Sequence, residues 1–289
     1  MATASSQPTR VDRVPSGAAA FVIETAILFE RSMKKLFRRP VALYFSLIQP
    51  VIWMLLFGQI FNRIAKFPGA AAAFGGKSYF QFFVPAVVLQ TLMFGAAQSG
   101  IGIINDIQSG FLSKLLTTPI HRMAILLGRV LGDLTRMILQ GLIIIVIAWV
   151  AGLFQADGVH YEYGVPGILG ALGFALLFGL GLSGLTVFVA LKTRSSESTF
   201  LIANFFTLPL LFTSSAQLPL ELLPTWLQRV AYFNPVTYAI ESMRLLMNGR
   251  EAVPDADPAR LLMETVLVLG SIAAVSLTLA VRGFRKSVQ

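Results

Sequence analysis

The sequence predicts an all-α integral membrane protein with six transmembrane helices. Long stretches without Lys, Arg, Asp or Glu carry this prediction, because a helix needs about 20 apolar residues to cross a hydrocarbon core about 30 Å thick. Charged residues make up only 13% of the chain, and 55% of its residues are hydrophobic. The six predicted spans cover, approximately, residues 41–62, 79–105, 137–156, 164–191, 198–218 and 262–281.

Basic residues predict the orientation of these spans. With the N-terminus in the cytoplasm, the inner side holds 16 of the 23 Lys and Arg residues and the outer side holds 7. Cytoplasmic loops carry an excess of Lys and Arg, so both termini are expected in the cytoplasm. The net charge of +9 lies beside the apolar stretches, where it would meet anionic headgroups. We therefore expect membrane lipids as partners, and no nucleic acid.

The first 39 residues fall into two parts. Residues 1–20 are mostly small and polar, without the apolar core of a signal peptide, and are expected to form a disordered cytoplasmic tail. Residues 21–39 carry apolar residues at helical spacing on one face and charges on the other. This pattern predicts an amphipathic interfacial helix on the inner leaflet; the alternative is a simple basic flank that sets topology. Residues 40–289 form the six-helix transmembrane domain.

The segment at 106–119 joins spans two and three on the predicted cytoplasmic side. Ile107, Phe111 and Leu115 can line one apolar stripe of a short helix, together with Leu112, and Pro119 would end it. Such a helix could rest on the membrane surface, or it could be a handle that a soluble partner grips. Periodicity alone favours neither interpretation.

Three charged residues follow at the inner boundary of span three. Arg129, Asp133 and Arg136 are spaced by four and then three residues, so they share a helical face. We expect them to form a solvated ladder of salt bridges. Gly128 and Gly132 beside them make a small-xxx-small pair, which permits a close helix contact.

Polar uncharged residues inside the spans have two interpretations. They can line a substrate path, or they can hydrogen-bond between helices. The path candidates of this kind are Gln90 and Gln98 of span two and Asn204 of span five, and the aromatic Phe205 next to Asn204 is a fourth candidate. No acidic residue occurs in the middle of a span, which disfavours proton- or sodium-coupled carriers, because these place ionisable groups at mid-depth.

The region before the last span predicts two short helices that dip into the outer leaflet. It is too apolar for a free loop and too charged to cross the membrane. Pro224 can begin one helix, and Asn234-Pro235 breaks that helix and begins a second one. Trp226 suits the membrane interface, and Glu241 can pair with Arg244 at i,i+3.

Residues for catalysis or cofactor binding are few. The chain has 0 Cys and 2 His, and His121 and His160 fall in loops on opposite sides, so they cannot share a metal. The stretch Gly75-Gly76-Lys77-Ser78 ends like a phosphate-binding loop, but that pattern needs a glycine where Ala71 stands. We therefore expect no catalytic, metal or cofactor site on this chain; if ATP is used, another chain hydrolyses it.

In the order of its elements, from about residue 21 to 285, the chain resembles the permeases of ABC-2 type exporters. The shared elements are the amphipathic first helix, six spans with both ends inside, the cytoplasmic helix after span two and the short outer helices. The subfamily that it resembles most is the daunorubicin-resistance type. The residues that carry the resemblance are Asp106, Gly110, Lys114, Leu115 and Pro119, and then Pro219, Pro224, Pro235, Tyr238 and Arg244.

This resemblance implies a function and partners. The chain would be the permease of an ATP-driven exporter in a bacterial plasma membrane, paired with a second copy or with a related permease. It would move a hydrophobic or amphipathic drug or lipid outward, while two copies of a separate ATPase subunit use ATP and Mg. The residues implied to contact the ATPase are Asp106, Gly110, Phe111, Lys114, Leu115 and Pro119. Those implied to form an outer gate are Pro219, Pro224, Trp226, Pro235, Tyr238, Glu241 and Arg244.

Two other function classes stay open. The chain could be a non-transporting membrane enzyme, or an assembly subunit, that acts on lipid or on a cell-envelope polymer. A lipid enzyme would need His, Asp or Glu clustered at one interface, and the sequence has no such cluster. A channel receives little support, because charge rings are lacking.

Overall fold

The computed structural model describes residues 17–38, 40–65, 74, 76–118, 120–154, 158–254 and 256–287. In these residues all regular structure is helical. The long elements are α1 (Ala18–Arg38), α2 (Pro40–Ala65), α3 (Tyr79–Gln108), α5 (Arg122–Leu153), α6 (Gly164–Thr193), α7 (Ser196–Phe212) and α10 (Pro258–Ser287). The short helices are α4 (Phe111–Leu116), α8 (Thr225–Phe233) and α9 (Pro235–Asn248), with 3-10 turns at Leu220–Leu222 and Arg250–Ala252. Most of the predicted tail, residues 1–16, lies outside the described residues.

Five of the described helices are long and apolar enough to cross a membrane. They are α2, α3, α5, α6 and α10. The predicted fifth span, 198–218, differs, because α7 ends at Phe212 after 17 residues, a length of about 25 Å. Thr213 ends it, with its hydroxyl donating to the carbonyl of Pro209 at 2.7 Å. Length and composition therefore identify five crossings and leave α7 short of a sixth.

Helix α3 lies at the centre of the bundle. It packs against α2, α5, α6, α7 and α9, and its first half is buried on every side. An apolar surface all round is typical of any membrane span and does not by itself single out α3 for the central position. Its buried polar side chains need protein partners, and Gln81 has one: its side-chain amide donates to the carbonyl of His160 and so replaces the water that it loses on burial.

Small residues set the distance between the helices. On α3, a Cβ at Gly100 would lie 2.5 Å from the backbone oxygen of Thr186 on α6. On α6, a Cβ at Gly184 would lie 2.8 Å from the backbone carbon of Ser276 on α10. Any larger side chain would force these helices apart, because close-packed interiors have no room to accept it. The abundance of glycine and alanine in span four thus corresponds to packing faces.

Helix α1 lies along the first turns of α5. A Cβ at Gly128 would lie 2.6 Å from the Cβ of Leu28, and one at Gly132 would lie 2.5 Å from the Cβ of Ser32. The small-xxx-small pair noted in the sequence therefore forms the contact between α5 and α1. Exposed apolar side chains such as Val22 and Phe37 lie on the rest of α1.

Candidate functional site

The 106–119 segment is a tight turn followed by one short helix. Helix α3 ends at Gln108, and the backbone N–H of Ser109 donates to the carbonyl of Asn105 at 3.0 Å. Gly110 then adopts φ +68°, a left-handed conformation that favours glycine. This turn redirects the chain into α4, so Gly110 acts through its backbone. Pro119, which was predicted to end the helix, lies outside the described residues.

Asp106 connects three helices at this end of the bundle. It sits in the last turn of α3, with its side chain only 16% exposed. It accepts a hydrogen bond from the guanidinium of Arg129 on α5. From α1, Arg31 Nη2 approaches it to 3.6 Å and Lys35 Nζ to 3.9 Å. The segment is therefore held to α1 and α5 by a carboxylate with three cations around it.

The predicted ladder of Arg129, Asp133 and Arg136 was wrong in one respect, because it is largely buried. Arg136 Nη2 approaches Asp133 to 3.3 Å and also donates to the carbonyl of Gly95 on α3 at 2.7 Å. Arg129 Nη2 donates to the carbonyl of Ser99, also on α3, at 3.2 Å. Helices α1 and α3 cover this face of α5, so the ladder joins helices and is not a solvated surface feature.

Helix α4 is packed on one side and open on the other. The guanidinium carbon of Arg31 lies 3.3 Å from the ring centroid of Phe111, a cation–π contact. Leu112 is buried in an apolar cluster that includes Ile104 and Phe284. Lys114 is exposed, and Leu115 is half-buried. Of the predicted ATPase contacts, Asp106 and Phe111 therefore anchor α4, while Lys114 faces outward.

A second polar contact holds the N-terminal half of α1. The Oε2 atom of Glu24 accepts from the backbone N–H of His121 at 2.9 Å and lies 2.9 Å from its Nδ1 atom. The hydrogen bond from this N–H lowers the pKa of Glu24 below its usual value. Glu24 thereby ties α1 to the residue that precedes α5.

The two short helices before the last span are present where the prolines predicted them. Pro219 precedes the 3-10 turn, Pro224 precedes α8, and Pro235 is the first residue of α9. Asn234 caps α9, because its Oδ1 accepts from the N–H of Val236 at 2.9 Å. Trp226 on α8 is exposed, with 66% of its surface accessible. Tyr238 lies on α9, and its carbonyl accepts from Thr265 of α10 at 3.2 Å.

Arg244, grouped with the predicted gate residues, is fully buried. Its Nη1 atom donates to Glu241 at 2.8 Å, as the i,i+3 spacing predicted. Nη2 donates to the carbonyls of Ser215 at 2.7 Å and Ala216 at 3.2 Å, and its guanidinium carbon lies 3.5 Å from the ring centroid of Phe82. Arg244 therefore clamps α9 to the turn after α7 and to α3.

The four path candidates are not brought into one site within this chain. Gln90 is buried inside the bundle, whereas Gln98 is exposed. Asn204 donates to the carbonyl of Phe200 one turn earlier at 2.9 Å, and Phe205 has 72% of its surface accessible. Gln98 shares its exposed face of α3 with Asn105, seven residues later. Asn105 is a polar surface residue that the sequence reasoning missed, although its spacing from Gln98 could have indicated it.

Comparison with known proteins places this architecture in a family. The family described as "ABC-2 type transporter" matches residues 23–248. The daunorubicin resistance ABC transporter permease protein DrrB1 of Streptomyces coeruleorubidus is 30% identical over 224 residues, covering 76% of this chain and 73% of that protein. The inner membrane transport permease YadH of Escherichia coli K12 is 29% identical over 210 residues, covering 72% and 78%. The chain therefore belongs to the ABC-2 type transporter family, as a multi-pass membrane permease that leaves ATP hydrolysis to a separate subunit.

Proposed function

We propose that this chain is the permease subunit of an ATP-driven exporter in a bacterial plasma membrane. Two copies of a separate ATPase subunit, using ATP and Mg, would press on the 106–119 segment from the cytoplasm. The observation that carries this proposal is the construction of α4: Asp106 and Phe111 fasten it to α1 and α5, while Lys114 is exposed. A handle needs both a firm attachment and an accessible side.

Six crossings with both termini inside fit the contacts of α7. Near its start, Thr199 lies beside Gly100 of α3. Beyond its end, the carbonyl of Gln217 accepts from the hydroxyl of Tyr79, the first residue of α3, at 2.9 Å. Gly100 and Tyr79 are about 31 Å apart along α3 at 1.5 Å per residue, which is about one hydrocarbon thickness. We take α7 and the turn after it together as the missing crossing.

A second permease would complete the substrate path. Gln98 and Asn105 give α3 an exposed polar face near its inner end, although polar surface is costly against lipid. Phe205 adds an exposed aromatic side chain on the neighbouring α7. We infer that these surfaces face a second copy, or a related permease, with the substrate moving between them. Under this proposal Gln90 acts in packing.

The substrate class follows from the same surfaces and from the relatives. Exposed amides on α3 and an exposed aromatic ring on α7 suit a molecule with a planar apolar body and polar substituents. DrrB1 of Streptomyces coeruleorubidus is named for resistance to daunorubicin. We propose export of hydrophobic or amphipathic compounds of this kind, for which daunorubicin is the probe.

Co-purification with a candidate ATPase subunit from the same genome, followed by transport in proteoliposomes, tests the proposal. The wild-type pair should export daunorubicin only when ATP and both subunits are present. Lys114→Glu reverses the charge on the open side of α4, and Phe111→Pro removes the aromatic ring that Arg31 of α1 contacts. Both variants should lower export per ATP hydrolysed at least several-fold. Arg250→Glu, a reversal at the predicted outer end, is the control. Unchanged export in both α4 variants would refute the contact.

A further inference from the structure

Gly102 has no side chain at a position where the guanidinium of Arg129 lies against α3. A Cβ at Gly102 would overlap with the Nη2 atom of Arg129 and would lie 3.3 Å from its Cζ atom. Real Cβ atoms are not found that close to other atoms, so any other residue at 102 must displace the guanidinium. The end of the long Arg129 side chain can move, and its movement would break the contacts that it makes there.

Arg129 makes two contacts with α3 from this position. Its Nη1 atom donates to the carboxylate of Asp106, and its Nη2 atom donates to the carbonyl of Ser99 at 3.2 Å. Ser99 and Asp106 are two helical turns apart, and Gly102 lies between them. The planar guanidinium can bridge both acceptors, because its donors point in fixed, divergent directions.

The same carboxylate receives the contacts from α1. Arg31 approaches Asp106 to 3.6 Å and lies over the ring of Phe111. Helix α1 in turn packs closely on Gly128 of α5. The end of α3, α4, α1 and the start of α5 therefore form a closed circuit of contacts, in which Arg129 joins α5 to α3.

We propose that Gly102 and Arg129 are positioning residues that make this inner end of the permease move as one body with α4. The proposal rests on the proposed function. With the guanidinium seated on Gly102, a displacement of α4 by the ATPase is passed to α1 and α5. With the guanidinium displaced, the end of α3 and α4 lose this link to α5, and ATP hydrolysis continues without the matching export.

The decisive variant is Gly102→Ala, which adds one methyl group at the contact. Alanine is a better helix former than glycine, so the variant does not weaken α3 itself. Gly173→Ala on α6 and Gly270→Ala on α10 are matched controls, because a Cβ at either position would meet nothing within 4 Å. Arg129→Lys keeps the charge but cannot bridge both acceptors.

The first readout uses the permease alone. Spin labels at Lys34→Cys on α1 and Thr117→Cys after α4, both exposed positions, report the distance between these elements. The chain has 0 native cysteines, so only these two positions are labelled. Gly102→Ala should broaden the distance distribution and the two control substitutions should not. An unbroadened distribution in Gly102→Ala overturns the proposal, whatever the ATPase does.

The second readout is daunorubicin exported per ATP hydrolysed by the complex with its ATPase. Gly102→Ala should lower this ratio at least threefold while the ATPase rate stays near wild type. Both substitutions break the same contact between Arg129 and α3. The double variant, Gly102→Ala with Arg129→Lys, should therefore export no less per ATP hydrolysed than the more severe single variant. Multiplicative losses, or a wild-type ratio in Gly102→Ala, overturn the role in coupling. If the wild-type complex shows no ATP-driven export, the proposed function and the coupling role are both overturned. The spin-label distances then still show whether the contact between Gly102 and Arg129 holds α4 in place relative to α1.

Discussion

Truncation of the buried clamp, Arg244→Ala, should destabilise the permease more than any change at an exposed ion pair. The substitution leaves Glu241 without its cation and the carbonyls of Ser215 and Ala216 without their donor. Removing one partner of a buried ion pair costs about 3–5 kcal/mol. Each orphaned buried carbonyl costs about 1–3 kcal/mol, which overlaps with that figure because the donor is the same. The expected loss in the free energy of unfolding is therefore about 3–5 kcal/mol.

Thermal unfolding of the purified permease in detergent measures this loss. For a chain of this size about 1 kcal/mol shifts the midpoint by about 2 °C, so Arg244→Ala should lower it by roughly 6–10 °C. Arg260 is the matched control, because it also donates to a glutamate, Glu264, at 2.7 Å but has a side chain that is 69% exposed. Arg260→Ala should lower the midpoint far less, because exposed ion pairs contribute little to stability. Equal shifts in the two variants would refute the account of Arg244 as a clamp.

Two further predictions concern helix contacts. Gly100→Ala places a Cβ 2.5 Å from a carbonyl oxygen of α6 and should destabilise the fold by about 1–3 kcal/mol. Thermal unfolding measures this loss, with Gly173→Ala as the control, and equal unfolding midpoints in the two variants would contradict the prediction. The pKa of Glu24 is lowered chiefly by the hydrogen bond from the backbone N–H of His121. The stabilisation from this contact is therefore present when the pH is above the ordinary pKa of about 4.5, and it is lost as the pH falls through the lowered pKa. Limited proteolysis of α1 should therefore increase below about pH 4.5 in the wild type and show less pH dependence in Glu24→Gln; identical pH profiles would contradict this.

Much of the fold could be predicted from local sequence. Uncharged stretches locate the five helices that are long and apolar enough to cross a membrane. Pro224 and Pro235 identify the starts of the two short helices before the last span, because proline acts on its own backbone neighbourhood. The Glu241–Arg244 pair could be predicted for the same reason, since the two residues are one helical turn apart.

Contacts between distant parts of the chain could not be predicted. Arg244 binds the carbonyl of Ser215, 29 residues away, and a backbone acceptor leaves no mark in the sequence. The ladder at Arg129 looked solvated because the helices that cover it, α1 and α3, are separate in the chain. Gly102 carried no signal at all, since its role is to leave space for a side chain of another helix. The length of α7 was overestimated because an uncharged stretch does not show where the helix ends.

Cysteine accessibility tests the central claim most directly: the 106–119 segment faces the cytoplasm, where a separate ATPase can reach it. The chain has 0 Cys, so Lys114→Cys and Arg229→Cys, both at exposed positions, each give one reactive thiol. In intact cells, a membrane-impermeant maleimide should label Arg229→Cys and should label Lys114→Cys only after the membrane is opened. Labelling of Lys114→Cys in intact cells would contradict the account, because no cytoplasmic ATPase could then bind there.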